Sequence, residues 1–567
     1  MTGVTGASPQ QSDIHIRIGI LVNGKTIRRW ERDILEFIDQ LPNASVVAVF
    51  ENSAKARSPR SWKRLPWLVT NRLESIVSKR LYGKTWDRIG SRPDDSTSFD
   101  DLAQGATWRE VQPVCSPSGL VHKFSNEDLQ YAKSQRLDLA LRFGFNIIRG
   151  EILSVPRLGI WSFHHADNRV NRGGPPGFWE FFEDLPTTGA TLQALTDDLD
   201  GGEVISRSHY PTMRFSWNEN RRRLLQAAKF LMIDALTRVC RDPLAPPPAE
   251  STDAPLGLYS GPLYLPPSPL KSVGALFKVF GRVVSELLRR RTVRDQWRLA
   301  YGTGKPEGMS LRRLQSLRPP KDRFWADPFL VKRGDSNYVF FEDYGFEDNI
   351  GKIACGRLEK GNLVEVRTVI ESSVHMSYPF VFSVSDSLWM IPESHGENSI
   401  DLYRCVSFPY AWKKHKTLMA DVSAADTTLH YDGDRWWMFT NIDRTGMRDH
   451  SAELHLFWTE DPIEGDWKPH RQNPVVRGCS TARMAGRLFV DDKGNLVRCS
   501  QRRGHLYGEA LQFSIIDRLS PDAYNETLRE IIEPSWSPAV TGVHHCDVSP
   551  EMMFADVRYS VWRTPWS

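Results

Sequence analysis

Residues 161–179, WSFHHADNRVNRGGPPGFW, carry more hydrogen-bonding side chains than an ordinary loop. Two adjacent histidines, His164 and His165, follow an apolar stretch, VPRLGI, and a Gly-Gly-Pro-Pro turn comes after them. An imidazole at a strand end can act as a general acid or base, or can stabilise a developing oxyanion. Three interpretations are open at this point: an active site, the remnant of one, or a surface turn.

The elements that must position these histidines have the pattern of an α/β domain. Buried-strand patterns occur in IRIGILVNG, ASVVAVFE, LDLALRFGF and LGIWSFHH, and a helical pattern, RRWERDILEFIDQL, lies between the first two. Residues 54–110 form a basic insert with a helical stretch, and 218–239 predict a terminal helix. We therefore expect a Rossmann-type sheet that carries His164 at the end of one strand.

This half of the chain resembles the 10-formyltetrahydrofolate-dependent formyltransferases, a group that includes the methionyl-tRNA, glycinamide ribonucleotide and sugar N-formyltransferases. The resemblance runs from about residue 15 to 240, and its motifs recur in the family's order. They are His164, Arg172-Gly173, Pro176, Trp179, Thr188-Gly189-Ala190-Thr191-Leu192 and Asp200-Gly201-Gly202. The resemblance implies formyl transfer from 10-formyltetrahydrofolate to an amine.

The resemblance also implies roles for individual residues. His164 matches the catalytic imidazole, Asp200 matches the carboxylate that orients it, and Ser162 stands where the family has an asparagine. The other implied contacts are, for the cofactor, Phe143, Phe145, Ile147 and Asp198, and, for the substrate, Arg172 and Gly173.

Ser162 decides whether such a site works. A serine hydroxyl donates a hydrogen bond but reaches less far than an asparagine amide. Loss of one oxyanion donor costs about 2.7–4 kcal/mol in comparable sites, which predicts slow turnover. His165, Asn168 or Asn171 could replace the missing donor. The alternative is a scaffold that only binds, because fold does not imply function.

A linker separates the two halves of the chain. Residues 241–257 are rich in proline, and 270–291 predict an amphipathic helix with an apolar stripe and a basic end. The stripe consists of Leu270, Val273, Phe277, Phe280, Val284 and Leu287. Such a helix packs between two domains or contacts anionic lipid, and both interpretations are kept.

From about residue 295 the sequence consists of short strands with a loose repeat. Five units begin at 326, 377, 425, 482 and 544, and each has a polar dipeptide, an apolar strand, a turn and a second strand. A spacing of 50–60 residues is typical of propeller blades. The sequence therefore predicts a five-bladed all-β propeller over 295–567, a linker over 241–294 and the α/β domain over 15–240.

This second half resembles the N-terminal domain of plant glucosamine inositolphosphorylceramide transferase, which is similar to five-bladed glycoside hydrolases. The resemblance is carried by FWADPFL, HMSYPFVF, IPES, ARMAGRLF and GVHHCDV. It matches Asp327 to the hydrolase base and Asp426 to a supporting carboxylate, but Arg483 lies near the place of the acid. Glu393 and Glu509 do not occupy that place, so a glycosidase is the minority interpretation.

Charged residues at the strand starts are expected to meet at the propeller axis. They are Asp327, His375, Asp426, Arg483, His544 and His545. Such a ring would bind a glycan or a phosphorylated sugar through charge-assisted hydrogen bonds. The alternative is structural, since Asp and His at such positions also connect neighbouring blades.

Composition limits the remaining possibilities. The 567 residues carry a net charge of +4, which does not favour bulk nucleic-acid binding, and the seven cysteines are scattered without a metal-binding or disulfide pattern. Without a signal peptide or a long apolar run, the prediction is a cytoplasmic protein.

The preferred function is formylation of an amino sugar or sugar nucleotide, with glycan recognition by the propeller. The alternatives are a non-catalytic carbohydrate-binding or glycan-assembly protein with a degenerate formyltransferase site, and a propeller glycosidase or glycosyl-transfer enzyme.

Overall fold

The computed structural model describes residues 14–54, 65–198, 202–244, 263–303, 314–394, 396–534, 537 and 539–563. Its backbone contacts divide the chain into two compact units. Unit 1 comprises Met1–Ser208 and Thr212–Phe280, and unit 2 comprises His209–Pro211 and Gly281–Ser567. The division falls inside the predicted linker, and the predicted domain limits stay predictions.

The described residues of unit 1 form a seven-stranded sheet and seven shorter strands outside it. In chain order its strands are β1 (Ile16–Val22), β2 (Thr26–Arg28), β3 (Ala44–Asn52), β4 (Ser96–Ser98), β5 (Thr107–Val111), β6 (Val114–Cys115), β7 (Val121–Lys123), β8 (Leu139–Arg142), β9 (Ile147–Ile148), β10 (Ile160–His164), β11 (Arg172–Gly173), β12 (Thr187–Ala194), β13 (Glu203–Pro211) and β14 (Leu263–Tyr264). The sheet order is β13-β12-β10-β8-β1-β3-β5, and the five strands from β10 to β5 pair in parallel. This is the predicted Rossmann-type α/β fold.

Six α-helices accompany the strands. They are α1 (Arg29–Asp39), α2 (Leu65–Ile89), α3 (Asn126–Ser134), α4 (Phe178–Phe182), α5 (Trp217–Arg241) and α6 (Pro269–Thr292). Helix α5 is capped by Ser216, whose hydroxyl accepts a hydrogen bond from the Glu219 amide, a standard N-cap.

Because β8 and β10 are parallel neighbours, their carboxyl ends lie side by side, which is where α/β sheets bind ligands.

Unit 2 consists of five β-sheets, which confirms the predicted five-bladed propeller. Its strands are β15 (Val293–Thr303), β16 (Gln315–Leu317), β17 (Arg323–Arg333), β18 (Ser336–Gly345), β19 (Gly351–Glu359), β20 (Asn362–Ile370), β21 (Ser377–Val384), β22 (Ser387–Glu393), β23 (Ser399–Ser407), β24 (Ala411–Ala420), β25 (Ala424–Tyr431), β26 (Trp436–Ile442), β27 (Glu453–Thr459), β28 (Lys468–Pro469), β29 (Val476–Arg477), β30 (Phe489–Val490), β31 (Leu496–Arg502), β32 (Ala510–Leu519), β33 (Tyr524–Ile532), β34 (Val540–Val548) and β35 (Met552–Trp562). The first four blades follow chain order: β17–β20, β21–β24, β25–β29 and β30–β33.

The fifth blade closes the ring with both ends of the propeller sequence. Its order is β16-β15-β35-β34, so the first strand of the propeller sequence lies beside the last. Strands β15 and β35 pair over eleven residues, from Val293 opposite Trp562 to Thr303 opposite Met552. Because this pairing joins the first strand to the last, it closes the ring and holds the blades together. A closed ring also leaves fewer strand edges free.

Removing apolar volume from the closing strand is expected to destabilise the propeller. Leu299 of β15 is fully buried among residues of two blades, so Leu299→Ala should lower the free energy of unfolding by about 2–5 kcal/mol. Urea-induced unfolding of the full chain measures this change. The exposed Leu528 of β33 provides the matched control, and an equal effect of Leu528→Ala would contradict the role given to the closure.

Candidate functional sites

Unit 1 has a cavity of about 460 Å³ at the carboxyl ends of β8 and β10. Its wall includes both histidines of the WSFHHADN segment and the acidic end of the loop after β12. The lining residues are Leu120, Arg142, Ile147, Ile148, Phe163, His164, His165, Gly173, Pro176, Gln193, Leu195, Thr196, Asp197, Asp198, Gly202 and Leu263.

His164 is held in one orientation by the turn that follows it. Its Nε2 lies 2.8 Å from the carbonyl oxygen of Asn171. A carbonyl oxygen only accepts, so Nε2 carries the proton in this contact. The Asn171 amide in turn donates to Glu180 at 2.9 Å, and both side chains are buried. The polar residues of this segment therefore fix the ring at the cavity wall.

Arg142, at the end of β8, contacts the residue that replaces the family asparagine. Its Nη1 donates to the Ser162 hydroxyl at 2.7 Å, and Ser162 is buried and does not line the cavity. Burial lowers the pKa of Arg142, but a guanidinium stays charged in proteins. The cation beside the Ser162 position was missed because an arginine in the LDLALRFGF pattern reads as the end of a strand.

Three buried polar atoms of the cavity residues lack hydrogen-bond partners within the described part of the chain. They are Arg142 Nε, His165 Nε2 and Gln193 Oε1. His165 packs against Phe163 and Trp30, with ring centroids 5.4 and 5.3 Å apart, and burial lowers its pKa to about 3. Buried polar groups normally have partners, so these three atoms are available to a ligand bound in the cavity.

The other predicted residues of unit 1 divide into two groups. Ile147, Gly173 and Asp198 line the cavity with His164. Phe143 packs edge-on against Trp30, Phe145 is stacked in the core on Phe124, and Arg172 in β11 is not a lining residue. Asp200 lies outside the described residues.

Gly173 shows why this part of the wall needs a glycine. Its φ is 99°, and a Cβ built there would lie 2.0 Å from the carbonyl oxygen of Tyr264. The close approach lets β11 pair with β14 beside the cavity.

Unit 2 has a second cavity, of about 290 Å³, at the inner strands of the propeller. Carboxylates, basic side chains and aromatic rings share its wall. The lining residues are Trp297, Phe324, Ala326, Asp327, Glu342, His375, Ser377, Glu393, Arg448, His450, Arg483, Tyr507 and His544.

His544 lies between two buried carboxylates. Its Nδ1 lies 2.8 Å from Asp556 and its Nε2 lies 3.3 Å from Asp327. Burial acts to lower the pKa of His544, but the two carboxylates outweigh it and the pKa is raised. Burial raises the pKa of Asp327, whereas His544 holds that of Asp556 below its usual value despite burial. These three side chains also offer a possible set of metal ligands, within 4.8 Å of one another.

Arg483 forms the second charged contact of this cavity. Its Nε donates to Asp426 at 2.6 Å, and its Nη2 lies 3.8 Å from Glu393. Asp426 is buried behind the guanidinium and is not itself a lining residue. Burial raises the pKa of Asp426, and Arg483 opposes that increase. The residue near the predicted acid position therefore pairs with the supporting carboxylate.

His375 and Glu342 form a third pair. The Gly351 amide donates to Nδ1 of His375 at 3.0 Å, so the ring proton lies on Nε2, 3.2 Å from Glu342. Burial, together with the neighbouring carboxylates, raises the pKa of Glu342 well above its ordinary value. The sequence did not single out Glu342, because it lies within a second strand rather than at a strand start.

Only some of the charged residues that were predicted to form a ring line this cavity. Asp327, His375, Arg483 and His544 line it, and Glu393 joins them. His545 is fully buried with its Nε2 3.0 Å from the carbonyl oxygen of Pro328, and burial lowers its pKa to about 3. Glu509 lines a different pocket, with Arg502 and Glu533.

Aromatic rings complete this wall. Trp297 lies 4.2 Å from the His544 ring, and the Arg483 guanidinium lies 5.2 Å from the Tyr507 ring. Aromatic faces beside hydrogen-bonding carboxylates suit a sugar ring, which has apolar faces and polar edges.

The strand order and the two cavities define a class of protein: a formyltransferase-like α/β unit followed by a glycoside-hydrolase-like five-bladed propeller. Residues 315–536 match the family model for Glucosamine inositolphosphorylceramide transferase 1, N-terminal. The Arabidopsis thaliana protein of that name is 35% identical over 208 residues, which cover 36% of this chain and 27% of that protein.

The formyltransferase resemblance is confirmed as well. Methionyl-tRNA formyltransferase of Parabacteroides distasonis is 29% identical over 99 residues, 18% of this chain and 30% of that protein. The chain thus spans less than a third of either relative. The solved catalytic domain of a GH62 alpha-L-arabinofuranosidase from Coprinopsis cinerea covers 46% of this chain and 97% of its own, at 9% identity and a TM-score of 0.32. The fold description rests on the strand order.

Among the described residues, no helix combines the length and the hydropathy that a bilayer span requires.

Removal of only one member of the Arg483–Asp426 pair is expected to destabilise the protein. Arg483→Met leaves a buried carboxylate without its partner, so the free energy of unfolding should fall by about 3–5 kcal/mol. Arg483→Met/Asp426→Asn removes that unpaired charge and should recover part of the loss in urea-induced unfolding. Arg471, in an exposed pair with Asp522, provides the control, and its Met variant should unfold like the wild type. A double variant less stable than Arg483→Met would contradict this account.

Glu342 predicts a pH dependence of stability. Its pKa is raised in the folded state, so its neutral form stabilises the fold at low pH and the benefit is lost as the pH rises through the folded pKa. Glutamine accepts the same His375 contact without ionising. The stability of Glu342→Gln relative to wild type should therefore increase, by up to about 1.4 kcal/mol per pH unit, as the pH rises above 5. Unfolding between pH 5 and 9 measures this, and the exposed Glu530→Gln should show no such trend.

Proposed function

We propose that unit 1 transfers a formyl group from 10-formyltetrahydrofolate to an amino group of an amino sugar or sugar nucleotide, and that the propeller binds the carbohydrate. The observation that carries this proposal is the cavity beside His164, where three buried polar atoms lack partners. The name of the Parabacteroides relative supports formyl transfer, and that of the plant relatives supports a glycan context.

The residues of the cavity fit a folate. About 460 Å³ is within the usual range for a small-molecule site, and the donors and acceptors that lack partners suit a flat heterocycle with both functions on its edge. Ile147 would contact its face and Asp198 its polar edge. When bound, 10-formyltetrahydrofolate would supply the formyl carbonyl that the acceptor amine attacks, and it would leave as tetrahydrofolate once its own bond to the formyl carbon breaks.

The chain's own groups divide the remaining work. His164, with its proton on Nε2 and its ring fixed by Asn171, is proposed as the imidazole that stabilises the developing oxyanion. Asp200, by its family position, accepts the proton of the amine. Arg142 takes the role of the missing asparagine, because it presents a permanent cation at the cavity wall and bonds the Ser162 hydroxyl.

A second candidate is a binding protein with an inactive formyltransferase site. It is favoured by Ser162 itself, which is buried under Arg142 and away from the cavity. Both candidates predict folate binding, but only the first predicts turnover of an acceptor. A glycosidase is not proposed, because the carboxylate that should support its base is paired with Arg483.

Formyl transfer can be tested with a panel of amino sugars, sugar nucleotides and methionyl-tRNA in the presence of 10-formyltetrahydrofolate. We expect one acceptor class to be formylated, and Arg142→Met and His164→Asn each to lower kcat by about 10²–10³-fold. The affinity of His164→Asn for a non-reactive folate analogue, measured by calorimetry, should change little, since oxyanion contacts act in the transition state. Arg142→Met also removes a donor to the bound heterocycle, so it should in addition bind the analogue less tightly. Arg142→Lys keeps the charge and should lose less.

Arg157→Met is the matched control, because Arg157 pairs with Asp138 at the surface and does not line the cavity. Absence of any affinity for the folate analogue would rule out both the proposal and the cofactor assignment. Folate binding without turnover on every acceptor would favour the binding protein instead. Unchanged turnover in Arg142→Met would remove the role given to that arginine.

A further inference from the structure

Helix α6 packs against unit 1 through its small residues and leaves its large ones outside. Ser272, Ala275 and Val279 are buried. Leu270, Phe277 and Phe280, on the opposite side, are 86%, 71% and 69% exposed. This is the reverse of an ordinary amphipathic helix, whose largest apolar residues face the core.

Helix α2 repeats the same arrangement. It packs through Thr70, Glu74 and Ser78, with Trp86 buried near its end, whereas Leu65 and Ile76 are 60% and 62% exposed. Leu68 and Leu73 are exposed with them. Two helices of one unit therefore present leucine, isoleucine and phenylalanine side chains to solvent.

The short helix α4 contacts both α2 and α6. The Phe178 ring contacts Trp67 of α2 at 5.1 Å, while Lys271 and Lys278 of α6 lie 4.7 and 4.3 Å from the rings of Trp179 and Phe182. Both helices therefore contact α4, a helix of only five residues, and each presents its large apolar residues to solvent. We call their exposed residues the apolar face: Leu65, Leu68, Leu73, Ile76, Leu270, Val273, Phe277 and Phe280.

Basic residues lie on the same two helices as the apolar face. Residues 269–280 contain Lys271 and Lys278 and no acid. Helix α2 contributes Arg72, Lys79, Arg80, Lys84 and Arg88, against Asp87 and the buried Glu74. In a symmetric dimer built on this face, these cations would oppose those of the second copy, which is unfavourable. An anionic surface with an apolar interior matches both properties at once.

We propose that unit 1 docks on an anionic lipid bilayer through the apolar face, with Phe277 and Phe280 inserted at the headgroup boundary. This inference does not rest on formyl transfer. It predicts that the chain sediments with vesicles of phosphatidylcholine containing 30% phosphatidylserine, binds phosphatidylcholine vesicles less, and dissociates as salt is raised.

The apolar contribution is tested with Phe277→Ser/Phe280→Ser. Both rings are exposed, so the variant should keep its circular dichroism spectrum and unfolding midpoint, while its partition onto the anionic vesicles falls about tenfold. Val490→Ser/Leu528→Ser, which removes two exposed apolar residues of the propeller, is the control and should bind like the wild type.

The charge contribution is tested with Lys79→Gln/Arg80→Gln, which should weaken binding to the anionic vesicles severalfold and leave the weak binding to neutral vesicles unchanged. Lys360→Gln/Lys493→Gln removes two exposed charges elsewhere and should have no effect. Vesicle binding that neither helix variant reduces would overturn the proposal. A dimer in sedimentation velocity that Phe277→Ser/Phe280→Ser dissociates, without vesicle binding, would also overturn it and assign the face to a second copy.

Discussion

Buried carboxylates outnumber buried cations at the centre of the propeller, and that unit is arranged around the imbalance. The carboxylates are those of Asp327, Glu342, Glu393, Asp426 and Asp556, and the cations are Arg483 and His544. Unpaired buried charge is costly, and burial raises the pKa of Asp327, Glu342 and Asp426. Arg483 contacts Asp426 and Glu393, and His544 contacts Asp327 and Asp556. His544 and Asp556 come from the closing blade, so the charge arrangement depends on the ring closure.

The cavity of unit 1 has the opposite character. Its wall holds one guanidinium, two imidazoles, two carboxylates and several apolar residues. Its distinguishing property is polar atoms that lack partners among the described residues, rather than crowded charge. The proposed function uses both cavities, that of unit 1 for the formyl donor and that of the propeller for the sugar.

The sequence predicted the fold well, because both units are built from elements with strong local patterns. The parallel strands, the five repeats and His164 at a strand end were all readable from periodicity and motif order. The sequence did not indicate the direction of a side chain where that direction depends on a bulge or an unusual backbone angle. Phe145 has a φ of 62° and points into the core, and the register shift between Val543 and Cys546 separates His544 from His545.

The sequence by itself determined which elements form and which residues stand at their ends, since those follow from hydrophobic period and turn chemistry. Only the tertiary structure decided which of those residues meet. Arg142 reaches Ser162 because β8 and β10 are parallel neighbours, and Glu342 reaches His375 because two blades adjoin. Contacts between residues distant in sequence depend on strand order and register, and no local pattern encodes them. The segment WSFHHADNRVNRGGPPGFW is therefore one wall of a cavity, with Arg142 at its side.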